Sequence, residues 1–200
     1  VFSDQKNTVS RRYAEETQTA EFGEKLEVVL NQEAKSNHYR GILNAVDYTV
    51  WDPRVDTYLK ELGHQKGGLN LNYGPDDLSG KPLVKTELQE IFGLPRDPGA
   101  FLFGAVGRLA EQKGFDLVAD AAEQLLSEGA QVQFVLLGTG DEKITARLKA
   151  VQAQYPDRFG LKVAFSDRLA HLVEAGADTF LMPSKFEPSG LNQMYSLRYG

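Results

Sequence analysis

The feature that most limits how this chain can fold is a regular alternation, from residue 99 onward, between apolar runs and amphipathic segments. The apolar runs FLFGAVGRL, VQFVLLGTG, LKVAF and TFLMPS have the length of buried strands. They are separated by segments with helical spacing, DLVADAAEQLLSEG, a segment capped by Asp141, and RLAHLVEAGA. Apolar strands that alternate with helices are typical of a parallel sheet covered on both faces. We therefore predict an α/β fold.

The chain divides into three regions by composition. Residues 1–50 are polar and predicted to be helical in pieces, with Ser10 as the cap of a helix over RRYAEETQ and a short strand in GILNAVDYTVW. Residues 51–98 are rich in turn-forming residues, so we predict an irregular connecting region there. One helix is expected in it, over KPLVKTELQEIFGL, ended by Gly93. Residues 99–200 hold the alternating strands and helices.

Composition argues against several classes of function. The formal net charge of −6 disfavours a broad nucleic-acid-binding surface, which needs clustered positive charge. The absence of cysteine excludes disulfides and thiolate metal sites. No uncharged apolar run is long enough to cross a membrane, and the three histidines lack metal-ligand spacing. We therefore expect no nucleic-acid partner, no membrane segment and no required metal.

Ligands of parallel α/β sheets bind outside the carboxyl ends of the strands. Four predicted loops lie at that edge, and each leads into a helix whose free N–H groups favour an anion, most naturally a phosphate. The loop sequences are GRLAEQKG, GTGDEK, SDRLAH and KFEPSGL.

Charged candidates lie in the first and last of these loops. Arg108 and Lys113 combine a planar fork of donors with a compact charge, which suits a diphosphate, although two solvated surface cations would give the same pattern. Glu187 lies in a tight turn before a helical pattern, where the helix N-terminus favours its charged form. The alternative is a dipole partner that is salt-bridged to Lys185.

The second loop is less specific. Gly138 and Gly140 would let a nucleotide approach the backbone, but they are not part of a G-x-G-x-x-G fingerprint, and a turn capped by Asp141 explains them about as well. His171 lies in a helical pattern and is expected to be packed or solvated rather than catalytic.

Four stretches of the chain together resemble the bacterial glycogen synthase and plant starch synthase family. They are NTVSRRYAEETQTAEFG (7–23), GILNAVDYTVWDP (41–53), GRLAEQKGFDLV (107–118) and FLMPSKFEPSGLNQMYSLRYG (180–200). The stretches follow the family's order, and the last one is long and specific.

The resemblance implies a glycosyltransferase of the GT-B type, which has two Rossmann-like lobes. Residues 1–50 would be the end of the N-terminal lobe and the hinge, and residues 99–200 an incomplete C-terminal lobe. The implied reaction is the transfer of glucose, with retained configuration, from ADP-glucose to the non-reducing end of an α-1,4-glucan, without metal or other cofactor. The implied location is the cytoplasm of a bacterium, or the plastid if the source is a plant.

Carried over onto this sequence, the resemblance implies a phosphate-binding group. Arg108 and Lys113 would hold the diphosphate of ADP and stabilise the charge that develops on it as the leaving group. The turn at Ser189, Gly190 and Leu191 would present backbone N–H groups to the phosphate. The family usually has Cys at the position of Ser189, so any role of a thiol is absent here.

The resemblance also implies contacts to the donor sugar and base. Glu187 would contact the donor glucose, positioning it or stabilising positive charge, while a nucleophilic role stays open. Asn44 would reach the sugar from the hinge, and Phe165 would stack on adenine. Gly138 and Gly140 complete the predicted donor-binding residues.

Two motifs of the family's N-terminal lobe, a Lys-Thr-Gly-Gly-Leu sequence and a glucose-contacting histidine, do not occur here. We therefore expect the chain to be an internal part of a longer enzyme and to be inactive by itself. Two alternatives are another GT-B transferase that uses UDP-glucose, and a glucan- or nucleotide-binding module without catalysis.

Overall fold

The computed structural model describes residues 3–200, which form two compact units. The first unit comprises the chain up to Val46 together with Phe186–Leu191. The second comprises Asp47–Lys185 and Asn192–Gly200. The units thus divide the chain differently from the three regions predicted by composition.

The first unit contains a two-stranded parallel sheet, β1 (Lys6–Thr8) and β2 (Tyr39–Gly41), and the helices α1 (Arg11–Glu16) and α2 (Glu27–Lys35). The Oγ atom of Ser10 accepts a hydrogen bond from the backbone N–H of Tyr13 at 3.0 Å, which confirms the predicted cap.

The strand predicted in GILNAVDYTVW is largely wrong. Only its first residue, Gly41, belongs to β2, and residues 42–46 have no regular structure. The reason is the short partner strand, because β1 ends at Thr8 and the chain then turns into α1. The N–H groups of Ile42 and Asn44 still donate to the carbonyls of Thr8 and Val9, but beyond Val9 the partner chain enters α1 and offers no further extended backbone.

The second unit is built on a four-stranded sheet in which every neighbouring pair is parallel. Its strands are β3 (Phe101–Val106), β4 (Val132–Gly138), β5 (Phe159–Val163) and β6 (Thr179–Phe180), in the order β5-β4-β3-β6. The remaining helices of the chain are α3 (Thr57–Gln65), α4 (Gly80–Ile91), α5 (Phe115–Ser127), α6 (Glu142–Gln154), α7 (Asp167–Gly176) and α8 (Leu191–Tyr199).

Two apolar clusters cover the two faces of the sheet. Because side chains alternate along a strand, Val135 and Leu137 of β4 pack on one face with residues of α3, α4 and α7. Phe134 and Leu136 pack on the other face with residues of α5 and α6. This arrangement confirms the predicted α/β fold with helices on both faces of a parallel sheet.

The helix α3 lies in the region that was predicted to be irregular apart from one helix, and the prediction there was incomplete. The carboxylate of Asp56 caps α3 by accepting hydrogen bonds from the backbone N–H groups of Tyr58 at 2.8 Å and Leu59 at 3.3 Å. Leu59 and Leu62 are buried in the same apolar cluster as residues of α4, the helix that was predicted. Both helices therefore belong to the core of the second unit.

The buried face of α5 also differs from the expected one. Helical spacing in DLVADAAEQLLSEG puts Leu117 on the same apolar face as Val118 and Ala122, but the side chain of Leu117 is 50% exposed. The helix begins at Phe115, and its buried stripe includes Phe115, Val118, Ala122 and Leu126. The starting residue sets the phase of the stripe, because the contacting positions recur every three to four residues from it.

Among the described residues, the longest helices have 13 residues, and none of them is long and apolar enough to span a membrane.

Candidate functional site

The strand order creates one distinctive position at the carboxyl edge of the sheet. The chain leaves β3 towards β4 and β5 on one side, and β6 is added on the other side of β3. In open α/β sheets such a reversal of strand order opens a crevice between the loops that follow the two strands. The loops after β3 and β6 are therefore the structural candidates for a ligand site.

The loop after β3 makes close contact with the chain that follows β6. A Cβ atom placed on Gly114 would lie 2.2 Å from the carbonyl oxygen of Pro183. The backbone N–H of Lys185 donates to the carbonyl of Gln112 at 2.8 Å, and the ammonium of Lys185 pairs with Glu111. These contacts fix the backbone of the two loops against each other.

The first turn of helix α8 is hydrogen-bonded to the same edge of the sheet. The side-chain amide of Asn192, in its first turn, donates to the carbonyl oxygen of Val106 at 3.0 Å. Val106 is the last residue of β3, so this bond places Asn192 at the carboxyl end of that strand.

The two predicted cations occupy different places in the loop after β3. Arg108 is exposed, and its guanidinium donates to the side-chain oxygen of Gln112 at 3.2 Å. Lys113 is half-buried at the end of a single 3-10 turn, Glu111–Lys113. Gly114 follows with a φ of 71°, which lets the chain reverse into α5.

A pocket of about 310 Å³ opens where the loops after β3, β4 and β5 meet. Its volume is at the lower end of the range for small-molecule sites. It brings together three of the predicted site residues, Arg108, Gly138 and Phe165. The ring of Phe165 is 86% exposed and is thus accessible to a flat ligand. Further lining residues lie in loops that were predicted at this edge but were not named as site residues; they are Thr139, Ser166, Asp167 and Ala170.

The N-terminus of α7 forms one wall of this pocket. Ser166 caps the helix, its Oγ accepting a hydrogen bond from the N–H of Leu169 at 3.2 Å, and Asp167 lies in the first turn. A serine followed by an acidic residue directly after a strand is a helix-start signal, so these two lining positions could have been inferred from the sequence.

Packing within the protein itself requires glycine at both positions of the second loop. A Cβ atom on Gly138 would lie 2.0 Å from the carbonyl oxygen of Gly107, and one on Gly140 would lie 2.3 Å from that of Leu109. The N–H of Leu109 donates to the carbonyl of Thr139 at 2.9 Å. Close packing of the two loops accounts for both glycines, whether or not a nucleotide also contacts them.

The remaining predicted residues belong to the first unit. Glu187 and Ser189 are half-buried in the segment Phe186–Leu191, and Gly190 has a φ of 71°. Leu191 is the first residue of α8, and Asn44 is exposed, with its N–H donating to the carbonyl of Val9 at 3.3 Å. That these residues share one site with Arg108 and Lys113 stays a prediction.

A buried polar network also lies in the second unit, and no motif in the sequence predicted it. The Asp56 carboxylate, which caps α3, also accepts hydrogen bonds from Nδ1 of His171 at 2.8 Å and from the hydroxyl of Tyr199 at 2.5 Å. The ring of Trp51 stacks between His171 and Tyr195, with centroid distances of 3.7 Å and 3.9 Å. His171 is therefore packed, as expected.

The charges in this network are set by burial and by hydrogen bonds. Burial alone would raise the pKa of Asp56, but hydrogen bonds from His171 and Tyr199 outweigh it and lower the pKa. Hydrogen bonds from Arg54 and Arg198 hold the pKa of the Asp52 carboxyl well below its usual range.

Residues 3–200 contain no group of three or more His, Asp or Glu side chains placed to share a metal ion.

Comparison with known proteins shows which family this chain resembles. The sequence model of the family "Glycosyl transferases group 1" matches residues 86–200. Glycogen synthase 1 of Methylococcus capsulatus is 45% identical over 200 residues, which are 100% of this chain and 38% of that protein. Glycogen synthase 1 of Geobacter metallireducens is 47% identical over 194 residues, 97% of this chain and 36% of that protein. The chain thus spans less than two-fifths of the length of these relatives.

Solved structures show the same relationship. The catalytic domain of starch synthase IV from Arabidopsis thaliana, bound to ADP and acarbose, matches with a TM-score of 0.85 and 35% identity over 99% of this chain and 38% of that chain. Anabaena HepE, in complex with UDP and glucose, matches with a TM-score of 0.56 at 16% identity over 99% of this chain and 43% of that chain, which shows the fold alone. The resemblance to glycogen and starch synthases and the GT-B type of fold are confirmed, and the chain belongs to the group 1 glycosyltransferases.

Proposed function

We propose that the protein containing this chain is a glycogen synthase. It transfers glucose from ADP-glucose to the non-reducing end of an α-1,4-glucan, with retention of configuration. The observation that carries the proposal is the 45% identity to a curated glycogen synthase over all 200 residues of this chain. Donor and glucan are the partners of this reaction.

The donor nucleotide is assigned to the pocket at the carboxyl edge. Phe165 offers an exposed ring on which adenine can stack, and Gly138 lines the same pocket. ADP is the preferred nucleotide because the starch synthase structure with a TM-score of 0.85 contains it.

The diphosphate is assigned to the loop after β3. Breaking the glycosidic bond of the donor leaves negative charge on the diphosphate, and Arg108 with Lys113 would stabilise it. Ser189 and Gly190 directly precede α8, and Leu191 is its first residue. Their backbone N–H groups therefore lie at a helix N-terminus, which favours an anion. These charges replace the function that a metal ion has in other transferases, so we propose that none is required.

The sugar is assigned to Glu187 and Asn44. As the glucosyl group departs, its anomeric carbon gains positive charge, which a nearby carboxylate stabilises. Glu187 would act in this way or by holding sugar hydroxyl groups. The cytoplasmic location, with the plastid as the plant alternative, stays a prediction from the resemblance.

The proposal is tested by measuring initial rates of glucose incorporation into glycogen by the full-length protein. We expect a higher kcat/KM with ADP-glucose than with UDP-glucose. Glu187→Gln should lower kcat by about a hundredfold or more, because it removes a charge needed in the transition state. Glu128→Gln, at the exposed residue that directly follows α5, is the matched control and should change kcat by less than about twofold.

Two results would contradict the proposal. A higher kcat/KM with UDP-glucose would make the protein a UDP-glucose transferase. Binding of ADP or glucan without transfer from either donor would make it a binding module.

A further inference from the structure

A second cavity lies at the opposite, amino-terminal edge of the sheet. It has a volume of about 430 Å³ and lies between the start of α4 and the turn that joins α7 to β6. Pro98, which precedes β3, and Asp178, which precedes β6, line it, and these positions separate it from the loops at the carboxyl edge. Much of the remaining wall is apolar and includes Leu78, Pro82 and Leu83.

Two lysines from successive turns of α4 line this cavity, and their surroundings differ. The ammonium of Lys85 forms an ion pair with Asp178 at 2.7 Å. The Nζ atom of Lys81 donates to the backbone carbonyl of Ala175 at 3.2 Å and lies 5.5 Å from the centre of the Tyr73 ring. Within residues 3–200, no carboxylate lies at ion-pair distance from Lys81.

The acids that face Lys81 do not offset its burial. Burial lowers the pKa of Lys81, whereas Asp178 and Glu174 act in the opposite direction. Burial also raises the pKa of Glu174 to about 8, against the effects of Ser196 and Lys81. Glu174 is therefore mostly uncharged at neutral pH. A lysine that is desolvated and lacks a charged partner holds more of its amine in the neutral, nucleophilic form.

We propose that Lys81 is an acylation site that reacts with small acyl phosphates entering the cavity at the amino edge of the sheet. The Nζ lone pair attacks the carbonyl carbon and forms a C–N bond. The C–O bond to phosphate breaks, phosphate leaves with the electron pair, and the nitrogen loses a proton to solvent. The product amide keeps one N–H, which can still donate to the carbonyl of Ala175.

Acylation at Lys81 would change the local charge without removing that hydrogen bond. It deletes the positive charge beside the Tyr73 ring and next to Glu174. The side chain would also fill part of the cavity with an apolar group, in contact with the walls described above.

The test is the rate of acetylation of individual lysines in the full-length protein by acetyl phosphate, followed by mass spectrometry of peptides. Lys85 is the ion-paired control in the same cavity, and Lys60 is an exposed control on α3. We expect Lys81 to react about fivefold or more faster than either control near pH 7.5, and its rate to level off at a lower pH than that of Lys60. Equal or slower reaction of Lys81, or a pH profile that matches that of Lys60, overturns the proposal.

The Asp178→Asn variant tests whether ion pairing explains the difference in acetylation rate between Lys81 and Lys85. In Asp178→Asn, the asparagine oxygen can still accept the hydrogen bond that Asp178 receives from the N–H of Leu102 at 2.8 Å, while the charge opposite Lys85 is lost. We expect Lys85 in this variant to react several-fold faster than in the wild type. An unchanged rate at Lys85 would show that charge pairing does not control reactivity in this cavity and would count against the proposal.

Discussion

At the scale of single residues, two buried carboxylates of the second unit differ in charge because their hydrogen-bond partners differ. The Asp56 carboxylate accepts hydrogen bonds from two backbone N–H groups, from His171 and from Tyr199, and these keep it ionised. Glu174 accepts from the hydroxyl of Ser196 at 2.7 Å, and burial keeps it mostly protonated at neutral pH. The number of hydrogen-bond donors, rather than burial alone, decides which carboxyl group stays ionised inside the fold.

Replacement of Asp56 by alanine should destabilise the protein by about 3 kcal/mol or more, because it leaves several buried donors without an acceptor. The control is Asp47→Ala, since Asp47 is exposed and accepts from the N–H and hydroxyl of Thr49. That change should cost less than about 1 kcal/mol. Urea unfolding of both variants, followed by the fluorescence of the chain's single tryptophan, Trp51, measures the difference. Equal losses in the two variants would contradict the role given to the network.

The raised pKa of Glu174 predicts how stability depends on pH. The unfolded chain ionises Glu174 near pH 4.3, whereas the folded protein keeps the proton until about pH 8. The folded state binds more protons between these values, so this residue lowers stability as pH rises from about 4.3 to 8, by up to about 1.4 kcal/mol per pH unit.

Glu174→Gln removes that dependence, so its free energy of unfolding relative to wild type should increase with pH across this window and stay constant outside it. Urea unfolding at about pH 5, 6.5 and 8 measures the change, with Glu128→Gln as an exposed control that should follow the wild type. Parallel curves for wild type and Glu174→Gln would show that the carboxyl is ionised in the folded protein.

At the scale of elements, the long periodic segments were predictable and the short ones were not. The sequence predicted β3 to β5, α4 and the helices between the strands, because their apolar spacing is sustained over a full strand or several helical turns. It overextended the last strand, since only Thr179–Phe180 of the run TFLMPS belong to β6. It missed α3, whose stop and start signals lie among turn-forming residues, and it overextended β2, whose length is set by its partner strand. The glycines of the second loop were noticed, but their reason is a contact with the loop after β3 that only the tertiary structure shows.

Two glycines share a left-handed backbone conformation but differ in their surroundings. Comparing them separates the energetic cost of that conformation from the cost of a steric contact. Gly114 and Gly129 have φ values of 71° and 76°, but only at Gly114 would a Cβ atom meet another backbone, the carbonyl of Pro183 at 2.2 Å. Gly129→Ala should cost about 1 to 2 kcal/mol from the left-handed conformation alone. Gly114→Ala should cost more and should also displace the loops after β3 and β6.

The measurement is the free energy of unfolding of each variant, together with the Kd for ADP in the full-length protein. We expect Gly129→Ala to keep the wild-type Kd and Gly114→Ala to weaken binding about tenfold or more. If both variants bind ADP as the wild type does, the contact between the two loops does not support the site.

At the scale of the whole molecule, the strand order explains why separate segments of the sequence contribute to one edge. The parallel order β5-β4-β3-β6 brings the loops after β3, β4 and β5 to one pocket, so Arg108, Gly138 and Phe165 come together although they are far apart in sequence. This grouping was predictable from the rule for parallel sheets. The network around Asp56 and the cavity beside Lys81 were not, because they join residues about 100 positions apart that carry no shared pattern.

The central claim is that the loop after β3 binds the diphosphate of the donor. It is tested most directly by titration calorimetry of ADP against the full-length protein, its Arg108→Ala variant and the control Arg147→Ala, which removes a surface ion pair with Asp120 and Glu123. We expect Arg108→Ala to raise the Kd about tenfold to a hundredfold, the loss of charged hydrogen bonds worth about 1.5 to 3 kcal/mol, and Arg147→Ala to leave it within about twofold. An unchanged Kd in Arg108→Ala would contradict the claim.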